Sequence, residues 1–481
     1  MNPAKPRAGP VRRPGLLFAA AGAGGVVLSA SIARREILLT RWGILGLLVV
    51  WLPLWAIGAT AAQHLSRRRA IIAISFAAVA LRLAAIGHAP PLSDDLHRYA
   101  WDAKVQAAGV NPYEYAPDSP ALTGLRDRWL WPDGPTCRSL EREPGCTRIN
   151  RPAERTIYPP VAQVWFVAVR TVSLGVTGPG PWQAAAAAAD LALCGLLAVG
   201  LRRTGRDPRL AAWWALSPVA VVEIVANAHV DGLAALLVVG AVLAARRRPG
   251  LAGALIGAAA MVKLYPAVLL IAVARRNPVR AVAAFGAVCV AVLLPHIAAA
   301  GPKILGYLPG YLREEHYDGG GRFLLVGLTG LPGPVVAFVA VSLVLVMLAL
   351  LWWADLGIER TAPLALSAVL LVATPVQPWY GVTVAALGLL AARPGFAVLT
   401  VAAWPYFFSV ILNDQNAGLY GRLAYGFALL VVVATVVADS GQWRGRRDGT
   451  IRTWRHPTTR LATGPSPPAI PASTAASAPR S

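Results

Sequence analysis

Apolar runs long enough to cross a bilayer recur along the chain, separated by short polar or basic links. They cover 16–33, 42–62, 70–87, 182–201, 211–226, 230–245, 281–299, 335–353, 362–375, 382–392, 396–412 and 423–438. This pattern predicts an all-α, polytopic membrane protein with about twelve crossings and both ends cytoplasmic. Residues 1–15 form a short cytoplasmic N-terminus, 16–440 the transmembrane domain and 441–481 a tail. The only long polar interruption is 88–157, after the third run.

Two further apolar stretches do not fit as crossings. If 159–176 spanned the membrane, the basic loop 202–209 would face outward while 246–248 faced inward, against the positive-inside rule. A helix lying in the interface removes that conflict. The stretch 251–274 has arginines at both ends and Lys263-Leu-Tyr-Pro266 in its middle, so two half-helices forming a re-entrant hairpin are expected there. The loops 88–157, 227–231, 301–322, 377–380 and 413–421 then share the outer side. Arg34, Arg35 and Arg41 also fall outside, against the charge rule.

Hydrophobic residues make up 56% of the 481 and charged residues 14%, with a mean hydropathy of +0.54, which excludes an ordinary soluble domain. The net charge of +22 is spread through short arginine runs between apolar segments, at 67–69, 202–203, 246–248 and 275–276. That placement marks cytoplasmic loops and attraction to anionic membrane lipid, and no basic stripe interleaved with aromatics suggests nucleic acid. The run 16–33 reads as a first span and not a cleaved signal. The Pro-, Ser- and Arg-rich tail past Gly441 reads as disordered. No repeat of fixed period is visible.

Asp94 and Asp95 stand at the membrane boundary where the polar loop begins, and a second polar cluster, Asn227-Ala-His229-Val-Asp231, and a third, Gln377-Pro-Trp379-Tyr380, lie between other runs. Ionisable groups at such depth are costly and point to a functional site. The two aspartates can act as a general base or can cap the helix that starts near Leu96. His229 with Asp231 can contact phosphate or sugar, or can close a helix N-terminus in the bundle; one histidine with distant carboxylates is a poor zinc set. Lys263, one of four lysines, sits beside a helix break and suits phosphate binding. Arg322 and Arg422 are further phosphate candidates or interfacial anchors. Tyr311 and His316 are solvated loop residues or ligand contacts. Trp379 and Tyr380 belong to an aromatic belt or stack on sugar or polyprenyl, and Gln377 can bond sugar hydroxyls. Cys137 and Cys146, nine positions apart in the outer loop, suit a disulfide in an oxidising compartment or are two free thiols.

Ser93-Asp-Asp-Leu-His-Arg-Tyr99-Ala-Trp-Asp, Gly109-Val-Asn-Pro-Tyr113 and Ile157-Tyr-Pro-Pro-Val-Ala-Gln163 resemble the first external loop of GT-C glycosyltransferases that use polyprenyl-phosphate sugars. Asn227-Ala-His-Val-Asp-Gly232, Lys263-Leu-Tyr-Pro266 and Pro378-Trp-Tyr380 resemble later landmarks in the same order, so the likeness runs over roughly 81–425. It is nearest to glycosyltransferase family 87, the bacterial alpha-mannosyltransferase-like branch. The resemblance implies a GT-C-type bundle and an acidic base at the start of the first outer loop. It also implies a lipid-linked sugar donor, an outer-face glycan or glycolipid acceptor, and no metal or other cofactor. A Ser-x-Asp pattern in relatives favours Asp95 over Asp94, and desolvation is expected to raise the pKa of the base. Tyr158, Asn227, His229, Asp231, Lys263, Arg322, Gln377, Trp379 and Tyr380 become candidates for binding. Rival readings are a flippase or transporter of lipid-linked glycan, for which inverted repeats are missing, and a glycan polymerase or ligase, for which a late main loop would be expected.

Overall fold

The computed structural model describes residues 13–35, 37–134, 137, 146–354 and 356–451. The chain divides by contacts into Met1–Thr435, which holds everything discussed below, and Val436–Ser481. The expected disordered tail falls largely on 452–481, outside the described residues, as do the first twelve residues.

Among the described residues every regular element is helical. The chain opens with α1 (Pro14–Ala33), α2 (Ile37–Gln63), α3 (Arg67–Leu83) and α4 (Asp95–Ala107). It continues through α5 (Pro160–Val172), α6 (Gly180–Arg203), the short α7 (Ala212–Ala215), a π-helix (Ala220–Ala226), α8 (Asp231–Ala244), α9 (Pro249–Ala260), α10 (Leu270–Ala274) and α11 (Pro278–Ala300). The last part comprises α12 (Leu308–Glu314), α13 (Gly333–Trp353), α14 (Ile358–Ala373), α15 (Val382–Leu390), α16 (Val398–Ile411) and α17 (Ala417–Ile451).

The molecule has two chemically distinct ends. At one, Arg209 donates to the Leu65 carbonyl at 2.7 Å, Arg246 pairs with Glu359 at 2.9 Å, and Arg206 lies among Arg246, Arg360 and Arg393. At the other lie the start of α4, the turn 227–231, the loop 301–322 and the corner 377–380. Arg34 ends α1 at this second end, since Ser29 near the close of α1 bonds the Leu81 carbonyl near the close of α3.

About twelve crossings were expected on the roughly 20-residue criterion, but among the described residues seven helices are long and apolar enough to cross, or eight if one bent pair counts as a span. The physical reason for the difference is that several apolar runs fold as short or broken elements. α8 has 14 residues, which rise only about 21 Å. The run read as 211–226 is not straight: it bends by 62° between Ala215 and Ala220, where Ser217-Pro218 cannot continue the ladder. The carbonyls freed there are met from α3. Arg82 donates to the Ala215 carbonyl and, at 2.8 Å, to Asp190, which also accepts from the Trp214 indole at 2.9 Å. All three side chains are buried, so a charge pair that would be costly alone is saturated by its neighbours.

The two stretches excluded as crossings behave differently from their neighbours. α5 has 13 residues, too short for a hydrocarbon core of about 30 Å, and its first turn donates to the Met261 carbonyl at 2.9 Å. α6 then starts at the same end, where Gln183 donates to the carbonyls of His88 at 2.9 Å and Ala226 at 2.7 Å. The segment 249–274 rises as α9, turns at 261–264, and descends through the 3₁₀ turn Tyr265–Leu269 into α10. Arg246, Arg275 and Arg276 line one small cavity, so this hairpin begins and ends at the arginine-rich end. Gly253 and Gly257 let α9 press against the backbone of α11, where a Cβ would collide with the carbonyl oxygens of Ala281 and Phe285.

Candidate active site

The start of α4 sets the first wall. Ser93 accepts from the Asp95 backbone N–H at 3.3 Å, while the Asp94 side chain makes no helix-cap bond, so the serine performs the task that the aspartates were equally suited to. Asp95 is thereby left facing a cavity of about 990 Å³. Its Oδ1 accepts from Asn150 Nδ2 at 2.8 Å and its Oδ2 lies 3.8 Å from His229 Nε2. Burial pushes the Asp95 carboxyl up, yet His229, Lys263 and the hydrogen bonds of Tyr158 and Asn150 outweigh it and hold the group below its ordinary value. This corrects the expectation of a raised pKa: desolvation operates, and the facing donors and cation exceed it.

Behind that wall α4 is fastened by Asp102, which accepts from Arg98 at 3.2 Å, Thr156 at 2.5 Å and Gln163 at 3.0 Å. The loop end at 150–158 is thus tied to α4 and to α5 together.

The hairpin supplies the floor. Because the helix is broken at 261–264, Lys263 points into the cavity, with Nζ 3.4 Å from Asp231 Oδ2 and 5.6 and 5.2 Å from the ring centres of Tyr158 and Tyr380. Tyr265 bonds Thr383 at 2.8 Å, and Tyr311 bonds Tyr380 at 3.0 Å. An ammonium group held by one long ion pair and two aromatic faces keeps donors to spare for an anion.

The opposite wall comes from the loop 301–322 and the corner 374–381. Arg322 bonds the Glu315 carbonyl at 2.9 Å, Tyr406 at 2.6 Å and the Glu315 carboxylate; Gln377 donates to the same carboxylate at 2.9 Å. The corner is anchored through Thr374, in left-handed backbone at φ 39, whose hydroxyl receives the Leu324 N–H at 3.0 Å. Arg151 of the first loop reaches across to pair with Glu314, and Gly306 lies so close to the Thr156 carbonyl that only glycine fits.

Of the residues singled out in sequence, Asp94, Asp95, Tyr158, Lys263, Arg322, Gln377, Trp379 and Tyr380 line the cavity, as do Tyr311 and His316. Asn227, His229 and Asp231 do not; they are buried behind it. Asn227 accepts from the Leu92 N–H at 2.9 Å, and the His229 ring stacks on Trp379 with centres 3.9 Å apart. Arg422 is exposed on α17 and away from the cavity. Cys137 and Cys146 are joined, with Cα atoms 5.3 Å apart; the segment between them lies outside the described residues. Among the described residues no group of three or more His, Cys, Asp or Glu side chains is placed to hold a metal.

Reading the sequence missed Arg98, Asn150, Arg151 and Glu315, all on the cavity, and Glu223, buried behind His229. Glu223 left a signal, a carboxyl inside an apolar run. Arg98 lies on α4 within the Ser93–Asp102 motif, while Asn150, Arg151 and Glu315 sit in polar segments where nothing local distinguishes them.

The cavity is lined by charged and hydroxyl groups and also by Leu308, Leu312, Val369, Leu370, Val410 and Ile411, with Leu312 and Val410 42% exposed. Fold and cavity together describe a polytopic helical membrane protein with a cavity of mixed polar and apolar lining. Residues 156–378 match the model of Glycosyltransferase family 87, which is consistent with a GT-C type of membrane glycosyltransferase. The match takes in Tyr158, His229, Lys263 and Arg322 and ends just before Trp379; Asp94 and Asp95 precede it. No curated protein and no solved structure matches the chain.

Proposed function

We propose that the protein moves one sugar, mannose, from a polyprenyl phosphate to a glycan or lipid acceptor on the extracytoplasmic face, with Asp95 as general base and no metal. The observation that carries this reading is a single one. The Asp95 carboxylate, a lysine with donors to spare and the apolar side chains of α12, α14 and α16 line one cavity.

The chemistry follows from the parts. Asp95 takes the proton of the acceptor hydroxyl as its oxygen attacks the anomeric carbon. The bond from that carbon to the phosphate oxygen breaks, and polyprenyl phosphate leaves with the electron pair. Lys263 is the counter-charge for the departing phosphate, and Tyr158, Trp379 and Tyr380 offer ring faces for the sugar. The apolar side between α12, α14 and α16 receives the polyprenyl chain. The arginine-rich end faces the cytoplasm by the positive-inside rule, which sets the cavity outside and both termini inside.

The test is to incubate membranes containing the full chain with a panel of radiolabelled polyprenyl-phosphate sugars. Label should pass from the mannosyl donor into the lipid or glycan fraction. Transfer from a water-soluble sugar nucleotide, with none from any polyprenyl donor, would overturn the reading.

A further inference from the structure

A carboxylic acid inside an apolar run is costly unless other groups engage it. Glu223 is fully buried in the π-helix; its Oε2 accepts from Asn227 Nδ2 at 3.0 Å and its Oε1 has no hydrogen-bond partner. The same Oε2 lies 3.5 Å from Nδ1 of His229, and Nε2 of that ring lies 3.8 Å from Asp95 Oδ2. The imidazole therefore stands in line between two carboxyl groups, and neither of its nitrogens has a hydrogen-bond partner.

The ring has little freedom to turn elsewhere. It is stacked on Trp379 and follows Ala228, whose φ of 56 lies in the left-handed region that non-glycine residues rarely adopt. The wide turn of the π-helix, with the Asn227 N–H bonded to the Val222 carbonyl at 2.9 Å, brings Glu223 and Asn227 together on the side that faces the α4 start. Both carboxyl-to-imidazole separations exceed a hydrogen bond, which is common in catalytic sites before substrate tightens them.

We propose that Glu223 is a positioning residue that acts on Asp95 through His229, engaging Nδ1 so that the hydrogen on Nε2 is turned towards the Asp95 carboxylate. The proposal rests on Asp95 being the base. Asp95 already accepts from Asn150 at Oδ1, and a hydrogen on Nε2 adds a donor facing Oδ2. Nδ1 then needs either a donor, which Glu223 supplies as the acid, or an acceptor for its own hydrogen, which Glu223 supplies as the carboxylate. In both states Glu223 fixes which way the ring faces, as outer partners of functional histidines do. Without it the imidazole is free to present a lone pair to Asp95, and the carboxylate loses its orientation towards the acceptor.

The test compares Glu223→Leu, His229→Gln, the double variant and Asp95→Asn in the full chain, in membranes, with radiolabelled polyprenyl-phosphate mannose as donor and turnover expressed per molecule present. Glu223→Leu, which can neither donate nor accept, should lower kcat about tenfold or more with KM within about twofold, the range seen when an outer partner is lost. The double variant should fall no further than His229→Gln alone, because the two residues act in one chain. Glu223→Gln, which can still donate or accept, should recover most of the loss. Wild-type kcat in Glu223→Leu, or losses that multiply in the double variant, would overturn the proposal while Asp95→Asn stayed inactive. An active Asp95→Asn would instead remove the base assignment, and this inference with it.

Discussion

The two walls of the cavity carry similar side chains and use them in opposite ways. On the late wall, Arg322 spends its guanidinium on Glu315 and Tyr406, and the remaining Glu315 oxygen is taken by Gln377. On the early wall and the floor, Asp95 has an oxygen 3.8 Å from the His229 ring nitrogen, the imidazole has no hydrogen bond, and Lys263 holds one ion pair at 3.4 Å. A saturated network rigidifies a fold, whereas charges that are brought close without being satisfied cost stability and are retained for what they do to a ligand. In the proposed reaction the contrast leaves the base and the counter-charge to Asp95 and Lys263, and the anchoring of the outer loops to the Arg322–Glu315–Gln377 network.

The largest effect should come from removing the proposed base. Asp95→Asn keeps size and the Asn150 contact but abolishes the proton acceptor, so turnover should fall on the order of 10²-fold or more. Asp94→Asn, one residue earlier and without a capping bond, should fall much less in the same membrane assay. Equal losses in both variants would blur the distinction within the early wall itself.

Lys263→Met should come next. It leaves the stem against Tyr158 and Tyr380 and removes the charge, so donor KM should rise about tenfold, the weight of a single charge-assisted contact of roughly 1.5 kcal/mol or more. An unchanged KM, read from initial rates against donor concentration, would move phosphate recognition away from the hairpin.

A smaller effect is expected from pH. A carboxyl held below its ordinary value is ionised throughout the range above that value and loses its charge only below it, so Asp95 remains a competent base from neutral pH down into the mildly acidic range. The kcat/KM profile should therefore show no acid limb from this group between about pH 5 and 8. A limb near pH 6 that vanished in Asp95→Asn would mean that desolvation, and not the facing donors, governs the carboxyl.

Much of this arrangement was legible in the sequence because a bilayer imposes strict rules. Apolar run length located the helices, and arginine placement sorted their ends. The pairing of Lys263 with Pro266 inside an apolar run marked the hairpin's break. The same reasoning applied to Ser217-Pro218 and Glu223 would have exposed the second break and the carboxyl beyond it, since a proline and an acid in the run 211–226 are equally out of place there. The expected twelve crossings and the seven or eight long apolar helices differ for that reason too: run length cannot tell a straight span from a bent or shortened one. The roles of Asn150, Arg151 and Glu315 were not legible at all. Each is an ordinary loop residue, and its importance arises from packing a loop near 150 against one near 314, a juxtaposition with no local pattern.

The central claim is that Asp95 reacts and the Arg322–Glu315 pair supports, and one paired measurement addresses it directly: turnover per folded molecule and thermal stability for Asp95→Asn and Glu315→Gln, purified side by side. Asp95→Asn should lose turnover while keeping its melting temperature. Glu315→Gln strips the counter-charge from the buried Arg322 and should lose about 3 kcal/mol of stability, with turnover per folded molecule changed only a few-fold. The reverse pattern, a stable but inactive Glu315→Gln beside an unstable but active Asp95→Asn, would contradict the account.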